Sequence, residues 1–234
     1  DWSSDVCSSD LAFGGDYLLG MVLVVVVTLA YTLFGGFLGA SLTDVVQGLM
    51  MVVALIVVPI IALFTIGSFE ETSTLITETN PVALSLFGDG SLSTMAVVMF
   101  IISGLAWGLG YFGQPHIIVR FMALRSPQEA ASARRIGTSW QFLSLAGAVV
   151  SGLVGIAYFA KFGDGPSDPE TVVLLLSQVL LHPLVAGLVL AAVLAAIMST
   201  LSSQLIVCSS ALVEDTYRAL KKTPPSQKTL LWLG

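Results

Sequence analysis

The stretch from Trp107 to Arg120 reads Trp-Gly-Leu-Gly-Tyr-Phe-Gly-Gln-Pro-His-Ile-Ile-Val-Arg. It lies inside an apolar run long enough to cross a bilayer, yet it carries three glycines and a proline. A continuous membrane helix needs none of them. Gly108, Gly110 and Gly113 loosen the helix. Pro115 lacks an N–H and its ring collides with the carbonyl four residues back. Backbone groups freed at membrane depth are tolerated only where protein or a wet cavity covers them. Such a segment is either a broken helix of the kind that binds solutes and ions at the midplane of secondary transporters or a proline kink that only shapes packing.

The rest of the chain agrees with a membrane setting. It is 56% hydrophobic and 10% charged over 234 residues, where a soluble domain is about one-quarter charged. Lipid admits only helices or closed barrels. Runs such as Met21 to Ala30 lack the alternation of barrel strands, so the fold class is all-α and polytopic. Cys7 and Cys208 support no disulfide framework. The formal charge of −6 indicates no cationic partner, because charge here is sorted by side of the membrane. Nothing points to nucleic acid. Residues 1–11, Asp-Trp-Ser-Ser-Asp-Val-Cys-Ser-Ser-Asp-Leu, are polar, have no helix period and abut a span abruptly. They read as an adapter-derived leader, outside the fold. Residues 12–234 read as an internal fragment of one transmembrane domain, because Leu230-Leu231-Trp232-Leu233 looks like the start of another span.

Five spans are predicted, at about 16–36, 43–66, 94–122, 135–159 and 184–207, each near the ~20 residues a bilayer requires. A short link, Gly35 to Leu42, makes the first two an antiparallel hairpin. Residues 67–93 form an acidic loop with room for a short helix. A linker at 123–133 carries a helical start at Ser126-Pro127, and Glu170 to Leu181 is a short apolar helix stopped at His182-Pro183. Span five continues as helix toward Leu220. All basic residues except Lys161 follow span three or span five. By the positive-inside rule that side, with loop 123–133 and the C-terminal end, is cytoplasmic.

Three places carry candidate chemistry. On span five, Ala192, Ala196, Ser199, Thr200, Ser203 and Val207 recur at helical spacing. The Ser199 and Thr200 hydroxyls fall near the Ala196 carbonyl. Three neutral oxygens without a carboxylate suit a weakly held monovalent cation such as sodium better than calcium or magnesium. The alternative is ordinary back-bonding of Ser and Thr to the preceding turn. On span three, Trp107 and Tyr111 share a face just before Pro115. They are placed to pack an apolar or ring-shaped solute whose carboxylate meets the freed helix end. Their depth argues against an interfacial aromatic belt. Asp44 opens span two after Ser41-Leu42-Thr43 and reads first as a helix cap, with gating as a weaker reading. His116 reads as a packing or hydrogen-bonding residue. No metal-ligand spacing, phosphate loop or nucleophile elbow appears, so an enzyme has nothing to rest on.

Trp107 to Met122, WGLGYFGQPHIIVRFM, and Ala195 to Asp215, AAIMSTLSSQLIVCSSALVED, resemble signatures of the bacterial sodium/solute symporter family, in its proline-transporting members. Tyr31 to Phe37, Ser41 to Asp44 and Gly147 to Phe159 fit the same pattern. The resemblance covers nearly everything after residue 11. It implies a leucine-transporter-like fold of two inverted five-helix repeats. Spans one and two would close the first repeat, and spans three to five would open the second. It implies sodium-coupled uptake of L-proline across the inner membrane by alternating access. Trp107, Tyr111 and Pro115 would line or gate the proline site, and Ala196, Ser199 and Thr200 would ligate co-transported sodium. The first helix of the first repeat is absent from this stretch, so half of each site belongs to missing helices of the same parent chain. Two alternatives stay open: a sodium symporter for another small organic solute, and a transporter-like input module of a histidine kinase.

Overall fold

A computed structural model describes residues 17–85, 93–111, 113–163, 165–215 and 219–220, with backbone alone for Tyr17, Trp107, Glu214 and Asp215. Residues 1–11 and Leu230 to Leu233 lie outside the described residues. Among the described residues seven α-helices follow one another: α1 (Tyr17–Ile66), α2 (Phe69–Thr79), α3 (Thr94–Tyr111), α4 (Pro115–Met122), α5 (Pro127–Phe162), α6 (Val172–Leu180) and α7 (Pro183–Ser210). A π-turn, Ala211–Asp215, extends α7. No strand occurs among the described residues.

α1 is two arms joined at Gly36, whose φ of 53° and ψ of −155° are non-helical. The chain reverses there. Fourteen residues separate Asp44 from Val58, and fourteen separate Ser203 from Val189. Asp44 meets Arg120, which also bonds Ser203, and Val58 shares a core with Val189. The second arm is therefore antiparallel to α7. A straight α1 would carry Tyr31 about 20 Å beyond Asp44, off the end of α7. Instead the Tyr31 hydroxyl donates to the Met198 carbonyl at 3.0 Å, so the first arm folds back beside α7. The expected hairpin is present, but its link is one residue rather than 35–42. Glycine reaches φ above zero without a side-chain clash, so no longer loop is needed, and residues 37–42 continue the helix. The expected linker at 123–133 shrinks likewise. α5 starts at Pro127, with proline at its first turn, where no N–H is missed.

α1, α3, α5 and α7 carry stretches long and apolar enough to cross a bilayer, and α1 does so twice. The core lies where the second arm of α1, α5 and α7 meet. Ala54, Val58, Ala62 and Ile66 form a stripe at four-residue spacing. They pack with Val154, Ala157 and Tyr158 of α5 and with Val189 and Ala192 of α7, while Ile76 of α2 and Leu176 of α6 close one end. Alanine recurs among them, because lipid gives helices no hydrophobic reason to associate and close backbone approach does that work. The large apolar side chains left exposed, such as Leu19, Val26, Leu49 and Leu188, form the surface a bilayer would cover.

Lys161, the exception to the charge pattern, has a local role. Its ammonium donates to the Ile66 carbonyl at 2.6 Å and to Glu71 Oε1 at 2.6 Å. It thus satisfies an end carbonyl of α1 and complements that helix's negative end, while tying α2 to α5. Ser68 caps α2 by accepting from the Glu71 N–H at 3.1 Å. Lys161→Met should lower the thermal midpoint of the detergent-solubilised protein by a few degrees. Glu71→Gln should cost less, because that pair is largely exposed.

Candidate functional site

The break in span three falls where the proline places it. α3 ends at Tyr111 and α4 begins at Pro115, with Phe112 outside the described residues. Gly113 N–H donates to the Gly110 carbonyl at 3.0 Å. Gln114 has extended φ and ψ of −81° and 116°, as the residue before a proline prefers. α4 then starts a new N-terminus and presents the positive end of its dipole; Pro115 has no N–H, and the Ile117 and Ile118 N–H groups donate to the Gln114 carbonyl at 3.1 and 3.2 Å. Tyr111 is exposed beside it. Trp107 lies one turn earlier in α3, and its side chain lies outside the described residues.

On α7 the three expected oxygens come together. Ser199 Oγ donates to the Ala196 carbonyl at 2.8 Å, and Thr200 Oγ1 donates to the same carbonyl at 3.3 Å. The back-bonded arrangement and the converging oxygen cluster are thus one geometry. Neutral oxygens of this kind suit a monovalent cation once the hydroxyls turn their lone pairs outward. Ala192 and Ala195 lie on the buried face of α7, Ser199 is half-buried and Thr200 is exposed. The cluster therefore sits at the rim of the packed face, open on the Thr200 side. Ser202 and Ser203 continue the buried face and donate to the Ser199 carbonyl at 3.0 and 2.8 Å.

Asp44 corrects one expectation. It does not cap a helix: it lies well inside the second arm of α1, with Thr43 Oγ1 donating to the Gly39 and Ala40 carbonyls. The helix starts earlier than expected because Gly36 alone makes the turn. The Asp44 carboxylate instead pairs with the Arg120 guanidinium from α4, and Arg120 also donates to Ser203 Oγ on α7. A cavity of about 10 Å³ lies against Phe37, Asp44, His116, Arg120, Ser203 and Val207, room for about one water. His116 is half-buried at its wall. Arg120 and Ser203 were not expected as partners of Asp44. The available signal was the cost of an unpaired carboxylate in a membrane helix, which asks for a named partner.

The described architecture is that of a multi-pass helical membrane protein with its third span interrupted. The chain belongs to the sodium:solute symporter family, whose profile matches residues 9–234. It is 49% identical over 223 residues to the osmoregulated proline transporter of Bacillus subtilis, covering 95% of this chain and 44% of that protein. It is also 49% identical over 236 residues to the high-affinity proline transporter of the same organism, covering 99% and 49%. A sodium/proline symporter of Staphylococcus aureus is 46% identical over 229 residues, covering 95% and 43%. The chain spans just under half the length of these curated relatives. No solved structure matches it significantly.

Proposed function

We propose that this chain is part of a transporter that takes up L-proline with sodium by alternating access across a bacterial cytoplasmic membrane. The observation that carries the reading is the 46–49% identity, over at least 95% of the chain, to proteins named as proline transporters and sodium/proline symporters. Those names favour proline over another solute, and a transporter over a sensor module or an enzyme. The fold we infer for the whole protein is leucine-transporter-like. α1 closes the first repeat, and α3 to α7 open the second. The first repeat's other helices complete both sites.

In this reading proline sits at the interruption between α3 and α4. Trp107 and Tyr111 pack its ring, and Pro115 holds the break open. The positive end of the α4 dipole favours its carboxylate, because a helix N-terminus attracts an anion. Sodium binds at the Ala196 carbonyl and the Ser199 and Thr200 hydroxyls, and helices from outside this stretch supply the remaining oxygens on the open side. Sodium orders the region beside the break, so it favours proline binding, and the coupling is reciprocal. The basic residues after span three favour a cytoplasmic place for that end and for residues 123–133.

The test is labelled proline uptake into liposomes holding the full-length protein that carries this chain. An inward sodium gradient should drive accumulation, and unlabelled proline should compete better than other amino acids. Uptake indifferent to sodium overturns the coupling. Absence of proline uptake, with another solute accumulated, overturns the substrate.

A further inference from the structure

The first arm of α1 reaches the oxygen cluster of α7 through the Tyr31 hydroxyl, which donates to the Met198 carbonyl at 3.0 Å. Met198 lies inside the turn 196–200, two residues from Ala196 and two from Thr200. The arm is pressed against the body here: Val24 and Thr28 are buried and Tyr31 is half-buried. That turn of α7 carries a heavy hydrogen-bond load. The Ala196 carbonyl accepts from the Ser199 and Thr200 hydroxyls, and the Ser199 carbonyl accepts from the Ser202 and Ser203 hydroxyls. Three of the four carbonyls from Ala196 to Ser199 thus take a side-chain donor besides the helix's own N–H. A carbonyl that accepts a second donor tilts off the axis, and hydroxyls bonded this way bend helices. The loads on Ala196 and Ser199 come from α7 itself and travel with it. The load on Met198 comes from another helix, so it sets where the turn stands relative to α1. Met198 is about 160° around α7 from Ala196 and from Thr200. Tyr31 therefore grips the turn from the side away from the oxygen cluster.

Resting on the transport reading above, we propose that Tyr31 is a positioning residue for the sodium ion. By holding the Met198 carbonyl it fixes the tilt of the 196–200 turn, and so presents the Ala196 carbonyl and the Ser199 and Thr200 hydroxyls to the cation. A binding constellation works only when its groups are held within about 0.5 Å of the productive geometry. Neutral oxygens that bind a cation weakly have little affinity to lose to misplacement. Tyr31 does not ligate the ion; it acts through the turn that does.

The test is sodium dependence of proline uptake by the full-length protein in liposomes. Tyr31→Phe removes one oxygen and keeps the ring. The sodium needed for half-maximal uptake should rise about three- to tenfold, the worth of one neutral hydrogen bond. The maximal rate at saturating sodium should stay within about twofold of the parent, because only binding is weakened. A lower maximal rate and thermal midpoint with an unchanged sodium requirement would mean that Tyr31 only packs, and overturns the proposal. In the Ser199→Ala, Thr200→Ala background the groups through which Tyr31 acts are gone, so adding Tyr31→Phe should shift the requirement by less than about twofold; a full further shift overturns the proposal. If Tyr31→Phe does not accumulate in the membrane, 3-fluorotyrosine at position 31 keeps the ring and changes the hydroxyl's strength as a donor. It should move the sodium requirement by about twofold or more, and an unmoved requirement overturns the proposal. A sodium requirement indifferent to Ser199→Ala, Thr200→Ala would sink the sodium site itself, whereas a shift there with none in Tyr31→Phe overturns the role of Tyr31 alone.

Discussion

The Ser199→Ala, Thr200→Ala double variant should need about a hundredfold more sodium for half-maximal proline uptake. The estimate assigns each lost oxygen about 1.4 kcal/mol, a tenfold change, near the net worth of one polar contact. The same substitutions should hardly touch the fold. Both hydroxyls donate only to the Ala196 carbonyl of their own helix, and alanine is the best helix former. The thermal midpoint should therefore stay within about two degrees of the parent. This separation between function and stability is the diagnostic. If sodium dependence is unchanged, the hydroxyls only back-bond and the cation lies elsewhere. Thr65→Ala, which removes a similar back-bond to Ile61 at the far end of α1, should leave sodium dependence unmoved.

Gly147→Val should produce the opposite pattern: a large loss of stability that brings activity down with it. A Cβ at Gly147 would stand 2.9 Å from the Leu55 carbonyl oxygen, 3.0 Å from Leu55 Cβ and 3.2 Å from the Leu55 carbonyl carbon. Two of those atoms are backbone, so the obstacle cannot rotate away. Ser144, Gly147 and Ser151 form a buried stripe of small residues on α5 that lets it approach the second arm of α1 at Leu55, while Gly155 faces Val172 and Leu176 of α6. A branched side chain would force the helices apart at a cost of about 2–3 kcal/mol. The readouts are the thermal midpoint and the amount of folded protein in the membrane. Gly152→Ala, on the same helix with nothing within 4 Å, should be close to neutral. Equal effects at the two glycines would mean that helix propensity, and not the approach to Leu55, dominates.

The elements legible in the sequence were those fixed by local chemistry. Pro115 with its glycines placed the break, because a proline suits the first turn of a helix, where no N–H is missed; a proline alone does not suffice, since Pro59 is carried inside the second arm of α1. Pro183 after His182 and Pro127 after Ser126 placed two helix starts for the same reason. The lengths of the apolar runs gave the spans. The elements missed depend on partners distant in sequence. Ser41-Leu42-Thr43-Asp44 has the composition of a helix start, but Gly36 turns the chain alone and leaves Asp44 inside a helix. Its partners lie 76 and more residues away, and no local pattern announces them. Arg120 looked like one of several topology-setting charges until the fold set it beside Asp44. Lys161 was visible only as an exception, and its link to Ile66 and Glu71 explains why that exception is tolerated. At the candidate site, Ala196, Ser199 and Thr200 were legible because i, i+3 and i+4 positions meet on any helix. Which side of the cluster is packed and which is open was not legible, since it depends on where α1 and α5 dock.

Sodium at α7 and proline at the break must be energetically coupled if one conformational change serves both. On the purified full-length protein, proline binding should be measured with and without saturating sodium, and sodium binding with and without saturating proline. Two ligands that share one conformational change must raise each other's affinity by the same factor. The prediction is a common factor of about five or more, which collapses toward one in the Ser199→Ala, Thr200→Ala variant. Proline binding of equal affinity with and without sodium would contradict the account, because the cation at α7 would then have no part in holding the solute at the break.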